Sequence, residues 1–153
     1  MPDPDDPDTF THELQIDARP EIVYSFFVDP TKMARWMGVD HTLDPVPGGV
    51  FRVDVNGRDV AAGEFVELDP PSHLVFTWGW EGNADLPPGA TTIDVQLTPR
   101  DGGTHLRFTH RGLPPSRTPS HADGWRHYLG RLQTAGGGDD SGPDPWLRPA
   151  DRR

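Results

Sequence analysis

The 153-residue chain predicts an α+β protein in which a curved antiparallel sheet wraps around one long C-terminal helix, with two short helices after the first strand. Three observations lead there. Residues 119–133, PSHADGWRHYLGRLQ, place Trp125, Tyr128, Leu129 and Leu132 at intervals of three and four, which gathers them on one helical face. From Leu43 to Arg111 the apolar period is two, the signature of half-buried strands. Asn56-Gly57 and Asp101-Gly102-Gly103 supply the tight turns that antiparallel neighbours need.

In chain order, residues 1–8, MPDPDDPD, are acidic and proline-rich and read as a solvated tail. Residues 10–16 alternate Phe10, His12, Leu14 and Ile16 against Thr11, Glu13 and Gln15, a first strand. Asp17 is the expected N-cap of a helix running through Pro20, Glu21 and Val23 to about Phe27, with Pro in its tolerated first turn, and Asp29-Pro30 breaks it. A second short helix over 31–36 carries Met33, Trp36 and Met37 at helical spacing. After the Pro47-Gly48-Gly49 turn, Phe51, Val53 and Val55 share one face and Arg52 and Asp54 the other. The next strand, 58–69, contains Gly63, which suits a bulge or a close backbone approach, and Pro70-Pro71 ends it.

Leu74, Phe76, Trp78 and Trp80 then put four large apolar groups on one face, and a Gly- and Pro-rich connection follows over 82–90. Residues 91–98 align Ile93, Val95 and Leu97, and the last strand aligns Leu106, Phe108 and His110. Ser120 is the expected N-cap of the long helix. Gly136-Gly137-Gly138 stops that helix, so the domain spans 9–135 and residues 136–153 read as a flexible tail.

Charge and composition narrow the function classes. A formal net charge of -10 with no Lys/Arg cluster opposes nucleic acid and anionic membrane as partners, since both attract a basic surface. No apolar run reaches the roughly 20 residues of a membrane span, and Met1-Pro2-Asp3 is unlike a basic signal-peptide start, so the expectation is a cytoplasmic protein. The chain has no cysteine, which excludes disulfides, thiol catalysis and thiolate metal sites. His105 and His110 fall on opposite strand faces, and His121 and His127 do not share a helix face, so no metal site is expected. No phosphate loop, nucleophile elbow or paired-carboxylate helix is present, and no cofactor is expected.

The segments IDARPEIVYSFFVDPTKMARWM, PGGVFRV, DPPSHLVFTWGW, THLRFTHRGLP and HADGW, in this order, resemble the START-like (SRPBCC) superfamily with its helix-grip fold. Within it they are similar to proteins related to the C-terminal domain of the heat-shock protein 90 ATPase activator, over about residues 9–135. The resemblance implies a cavity between sheet and helix. It does not name an activity, because one fold hosts many functions. Larger activators of that kind have an additional N-terminal domain that contributes to chaperone binding, and 153 residues leave no room for one.

The residues expected to face the cavity are Trp36, Phe51, Val53, Phe76, Trp78, Trp80, His110, Trp125, Tyr128 and Leu129. Such an aromatic stripe also serves as plain core, but Trp and Tyr carry polar tips that a dry core of Leu, Ile and Val would not need. His110 has two readings: a hydrogen-bonded latch from strand end to helix, or a general acid/base with Tyr128 as hydroxyl partner and Arg52 as a further working group. The favoured function is a binding module for a small apolar or aromatic molecule, with a protein partner as an added option. The alternatives are a polyketide cyclase- or dehydratase-like enzyme using the same cavity, and a cofactor that stimulates a heat-shock chaperone ATPase.

Overall fold

The computed structural model describes residues 7–147, so the expectation for residues 1–6 and 148–153 lies outside the described residues. The elements are β1 (Thr9–Ile16), α1 (Pro20–Val28), α2 (Pro30–Met33), β2 (Asp40–Leu43), β3 (Val50–Asp54), β4 (Val60–Asp69), β5 (His73–Trp80), β6 (Thr91–Arg100), β7 (Gly103–Arg111), a 3-10 turn (Pro115–Arg117) and α3 (Thr118–Gly136). The strands form one seven-stranded sheet in the order β1-β7-β6-β5-β4-β3-β2, antiparallel throughout. This is the predicted α+β class, with α3 packed on the sheet.

Local chemistry explains most boundaries, including those where the sequence reading was off. Pro20 occupies the first helical position of α1, so the cap falls on Arg19 and Asp17 stays in the turn leaving β1 rather than capping the helix. Asp29 caps α2, its carboxylate accepting from Thr31 N at 2.9 Å. Regular helix ends at Met33, and Trp36 and Met37 follow in hydrogen-bonded turns, both buried. β2 was not foreseen as a strand: it is a short edge with alternating exposure and no large apolar face to announce it.

The Asn56-Gly57 turn forms as expected. Gly57 has φ 88°, Asp54 Oδ1 accepts from its N–H, and Asn56 Oδ1 accepts from Arg58 and Asp59 N–H, which delays β4 to Val60. In β4 the irregular register lies between Phe65 and Glu67, not at Gly63. Gly63 instead permits close approach: a Cβ there would lie 2.1 Å from Thr77 O. Ser120 does not cap α3, because the helix already begins at Thr118; its hydroxyl donates back to Arg117 O at 3.0 Å.

The core joins both layers. Trp125, Tyr128, Leu129 and Leu132 are buried on α3, as their spacing predicted, against Phe76, Trp78, Val95, Leu106 and Phe108 of the sheet and Val23, Phe26 and Phe27 of α1. The far end of α3 is tied to β1, where Gln133 Nε2 donates to Gln15 O at 2.8 Å.

Candidate functional site

A cavity of about 660 Å³ lies at one end of the sheet, under the first half of α3. Three structural groups build it. The end of β5 contributes Trp78 and Trp80, the β3–β4 hairpin contributes Val55, Arg58 and Asp59, and α3 contributes His121, Trp125 and Tyr128. Met37 and the loop after β5 complete the wall, and Trp146 closes it from beyond α3.

The inner wall is organised by two crossed indole–imidazole hydrogen bonds. Trp125 on the helix donates its Nε1–H to His110 Nδ1 of β7 at 3.0 Å, and Trp80 on the sheet donates its Nε1–H to His121 Nε2 of the helix at 3.0 Å. An indole N–H can only donate, so the ring nitrogen it meets must be an unprotonated acceptor. The other nitrogen of each ring then carries the proton: His110 Nε2–H donates to Thr91 Oγ1 at 2.7 Å, and His121 Nδ1–H donates to Arg117 O at 2.9 Å. Thr91 passes its own proton to Trp78 O at 2.7 Å. Both imidazoles are thus assigned as neutral. Burial pushes the pKa of each downward; for His110, fully buried, it falls well below the usual histidine value, and the neighbouring His121 pushes it the same way.

The candidates named from sequence separate into two groups. Trp78, Trp80, Trp125 and Tyr128 line the cavity. Trp36, Phe51, Val53, Phe76 and Leu129 are core instead: Phe51 stacks on Phe76 with centroids 4.3 Å apart, and Trp36 Nε1 donates to Phe26 O at 2.9 Å. One face of a strand or helix is longer than one cavity, so periodicity selects the whole face. His110 lies behind the wall, in contact with Trp78 and Trp125.

The expected partnership of Tyr128 with His110 does not form, because the Tyr128 hydroxyl donates to Asp144 Oδ2 at 2.7 Å. Burial, with Asp144 adding to it, drives the Tyr128 pKa far above the ordinary phenol value, so the hydroxyl stays protonated. Arg52 lies outside the cavity wall in a bidentate pair with Glu81, at 2.7 and 3.0 Å. The three catalytic candidates therefore do not converge.

Two lining residues were legible but missed, or nearly so. His121 sits four residues before Trp125 and hence on the same helical face. Trp146 belongs to the stretch expected to be a flexible tail from residue 136, yet up to Leu147 that stretch lies against α3. Trp146 stacks on His127 with centroids 3.8 Å apart and planes at 7°, and Asp144 also binds His127 Nε2 at 2.8 Å. Arg131 donates to Ser141 O and Gly142 O.

One polar atom in the wall is unsatisfied: the Trp78 Nε1–H is buried and has no acceptor among the described residues. No three His, Cys, Asp or Glu side chains among the described residues converge as a metal site would require. No helix among them is long and apolar enough to cross a membrane.

Comparison with known proteins gives the chain its relatives. The human "Activator of 90 kDa heat shock protein ATPase homolog 1" is 30% identical over 122 residues, which is 78% of this chain and 34% of that protein, so the chain spans about a third of the human protein's length. The solution structure of an AHSA1-like protein from Rhizobium etli superposes with a TM-score of 0.72 at 39% identity, covering 92% of this chain and 89% of that one. The Aha1 dimer from Colwellia psychrerythraea has the same fold, with a TM-score of 0.73 at 21% identity over 83% of this chain and 94% of that one. The family described as "Activator of Hsp90 ATPase homolog 1-like protein" matches residues 17–137, and the chain belongs to that family, within the START-like superfamily.

Proposed function

We propose that the domain is a binding module whose cavity takes a small, flat apolar or aromatic molecule. The observation that carries this reading is the convergence of Trp78, Trp80, Trp125, Trp146 and Tyr128 on a single space of about 660 Å³. That volume suits a drug-sized ligand, and aromatic walls with a few polar groups are what such sites use. A binder is favoured over a catalyst because His110 has both ring nitrogens occupied by protein partners, Tyr128 is committed to Asp144, and Arg52 is committed to Glu81. None of them is a free acid or base at the cavity wall.

Four tryptophans around one cavity give a direct readout. A panel of planar aromatic compounds should include some that quench the tryptophan emission with micromolar dissociation constants, about 8 kcal/mol of binding. Trp80→Ala removes a partly exposed wall and should weaken those compounds about tenfold. A panel in which no compound changes the emission at saturating concentration overturns the reading.

A further inference from the structure

Past the end of α3 the chain turns back at Gly138, whose φ is 98°, and residues 139–147 return along the helix they have just left. The stretch that matches the family stops at residue 137. The hydrogen bonds of this return bridge two walls of the cavity. On one side Ser141 Oγ donates to Arg35 O at 2.6 Å, and Arg131 reaches Trp36 O at 3.1 Å as well as the carbonyls of Ser141 and Gly142 at 3.2 and 3.0 Å, next to the lining residue Met37. On the other side Asp144 binds the lining residue Tyr128, and Trp146, stacked on His127, is itself part of the wall.

One side chain concentrates the hold. Asp144 accepts from Tyr128 Oη at 2.7 Å, from His127 Nε2 at 2.8 Å and from Trp146 N at 2.9 Å, and its side chain is 6% exposed. Every residue of 139–147 is otherwise exposed or half-buried, Trp146 at 45%. A segment that hides so little apolar surface opens at a smaller free-energy cost than the core beneath it. The other walls are fixed: the hairpin and β5 belong to the sheet ladder, and the loop after β5 is anchored by buried Leu86, whose O accepts from Trp80 N at 2.8 Å. We infer that residues 139–147 are a releasable strap over the cavity, latched by Asp144 on Tyr128 and His127, and that its release from the still-folded domain admits bulky molecules. The inference stands on the contacts of the strap and not on what the cavity takes, so it goes beyond the binding reading.

The chain has no cysteine, so one introduced thiol reports access without background. Val55 lines the cavity, is 6% exposed and is close to cysteine in size, so labelling of Val55→Cys by a bulky methanethiosulfonate measures how often the interior opens. Adding Asp144→Ala should speed that labelling by about tenfold or more, since hydrogen bonds to a carboxylate hold the strap. Adding Val95→Ala instead, a buried core change outside the cavity wall, should leave the rate within about twofold, because it weakens the domain and not the latch. In the intact chain, deuterium exchange at the amides of Gly142 and Trp146 should finish well before exchange at Leu129 and Leu132 of α3.

An unchanged labelling rate with Asp144→Ala overturns the strap as the entrance. Equal acceleration by Val95→Ala and Asp144→Ala, or exchange at Gly142 and Trp146 only in step with Leu129, shows that the segment opens with the whole domain and overturns it as well. Should Asp144→Ala not fold, Trp146→Ala replaces it with the same expected direction, and the exchange order in the intact chain decides by itself. Thiol labelling needs no ligand, so failure of the aromatic panel would sink the binding reading and leave the strap standing.

Discussion

His110 and His121 each sit 3.0 Å from an indole nitrogen, and this contact makes protonation expensive at the scale of single residues. Adding a proton would turn the accepting nitrogen into a donor facing a donor, within an aromatic environment that opposes charge. Both folded-state pKa values are lowered from the ordinary value of 6.5. Below pH 6.5 the unfolded chain therefore takes up protons that the folded chain refuses, so this contribution is fully present above pH 6.5 and is lost as pH falls. For His110 alone the slope reaches about 1.4 kcal/mol per pH unit below that point. Urea unfolding at pH 7.5 and pH 5.5 should show the loss, and His110→Gln, which can still accept from Trp125 and does not titrate, should show a smaller one. Equal pH slopes for the two proteins would mean that His110 is not held neutral.

At the scale of elements, α3 supplies the buried stripe of Trp125, Tyr128, Leu129 and Leu132, while Asp123 and Arg126 face outward. Leu129 is fully buried, so Leu129→Ala should cost about 2 to 5 kcal/mol, the sum of lost burial and a cavity. Arg126 makes an exposed pair with Asp123 at 3.5 Å and lies 5.4 Å over the Phe10 ring. Arg126→Ala should therefore cost less than about 1 kcal/mol. Comparable midpoints for the two variants in denaturant would contradict this packing. The strands beneath depend on tight backbone approach. A Cβ at Gly79 would lie 1.7 Å from Pro87 O, so the loop after β5 can fold back against its own strand only with glycine there.

For the whole molecule, the domain does not end with its last helix. Residues 139–147 are held by Asp144 on Tyr128 and His127, by Arg131 on the carbonyls of 141 and 142, and by Ser141 Oγ donating to Arg35 O. Removing residues 139–153 strips these bonds and uncovers the Tyr128 side of the cavity. The thermal midpoint should fall by roughly 3 to 10 °C, equivalent to about 1 to 3 kcal/mol at this chain size. An unchanged midpoint would show that the segment is not part of the folded unit. These hydrogen bonds, and the stacking of Trp146 on His127, dock a Gly- and Pro-rich stretch that has no apolar periodicity of its own.

What the sequence determined by itself was whatever repeats along the chain: the period-two strands, the three-and-four spacing of α3, the Asn56-Gly57 turn, and hence the sheet-plus-helix class. These follow from local geometry, in which side-chain direction is set by position in the element. Tertiary structure alone decided which part of each buried face borders a void. Trp78 and Phe76 are two residues apart on the same strand face, yet Trp78 walls the cavity and Phe76 packs in the core. It also decided the partners: Trp125 with His110, Trp80 with His121 and Tyr128 with Asp144 are separated by 15, 41 and 16 residues. Periodicity reports that a side chain turns inward, but hydrogen-bond partners and empty space depend on how distant segments meet, and no local pattern carries that information.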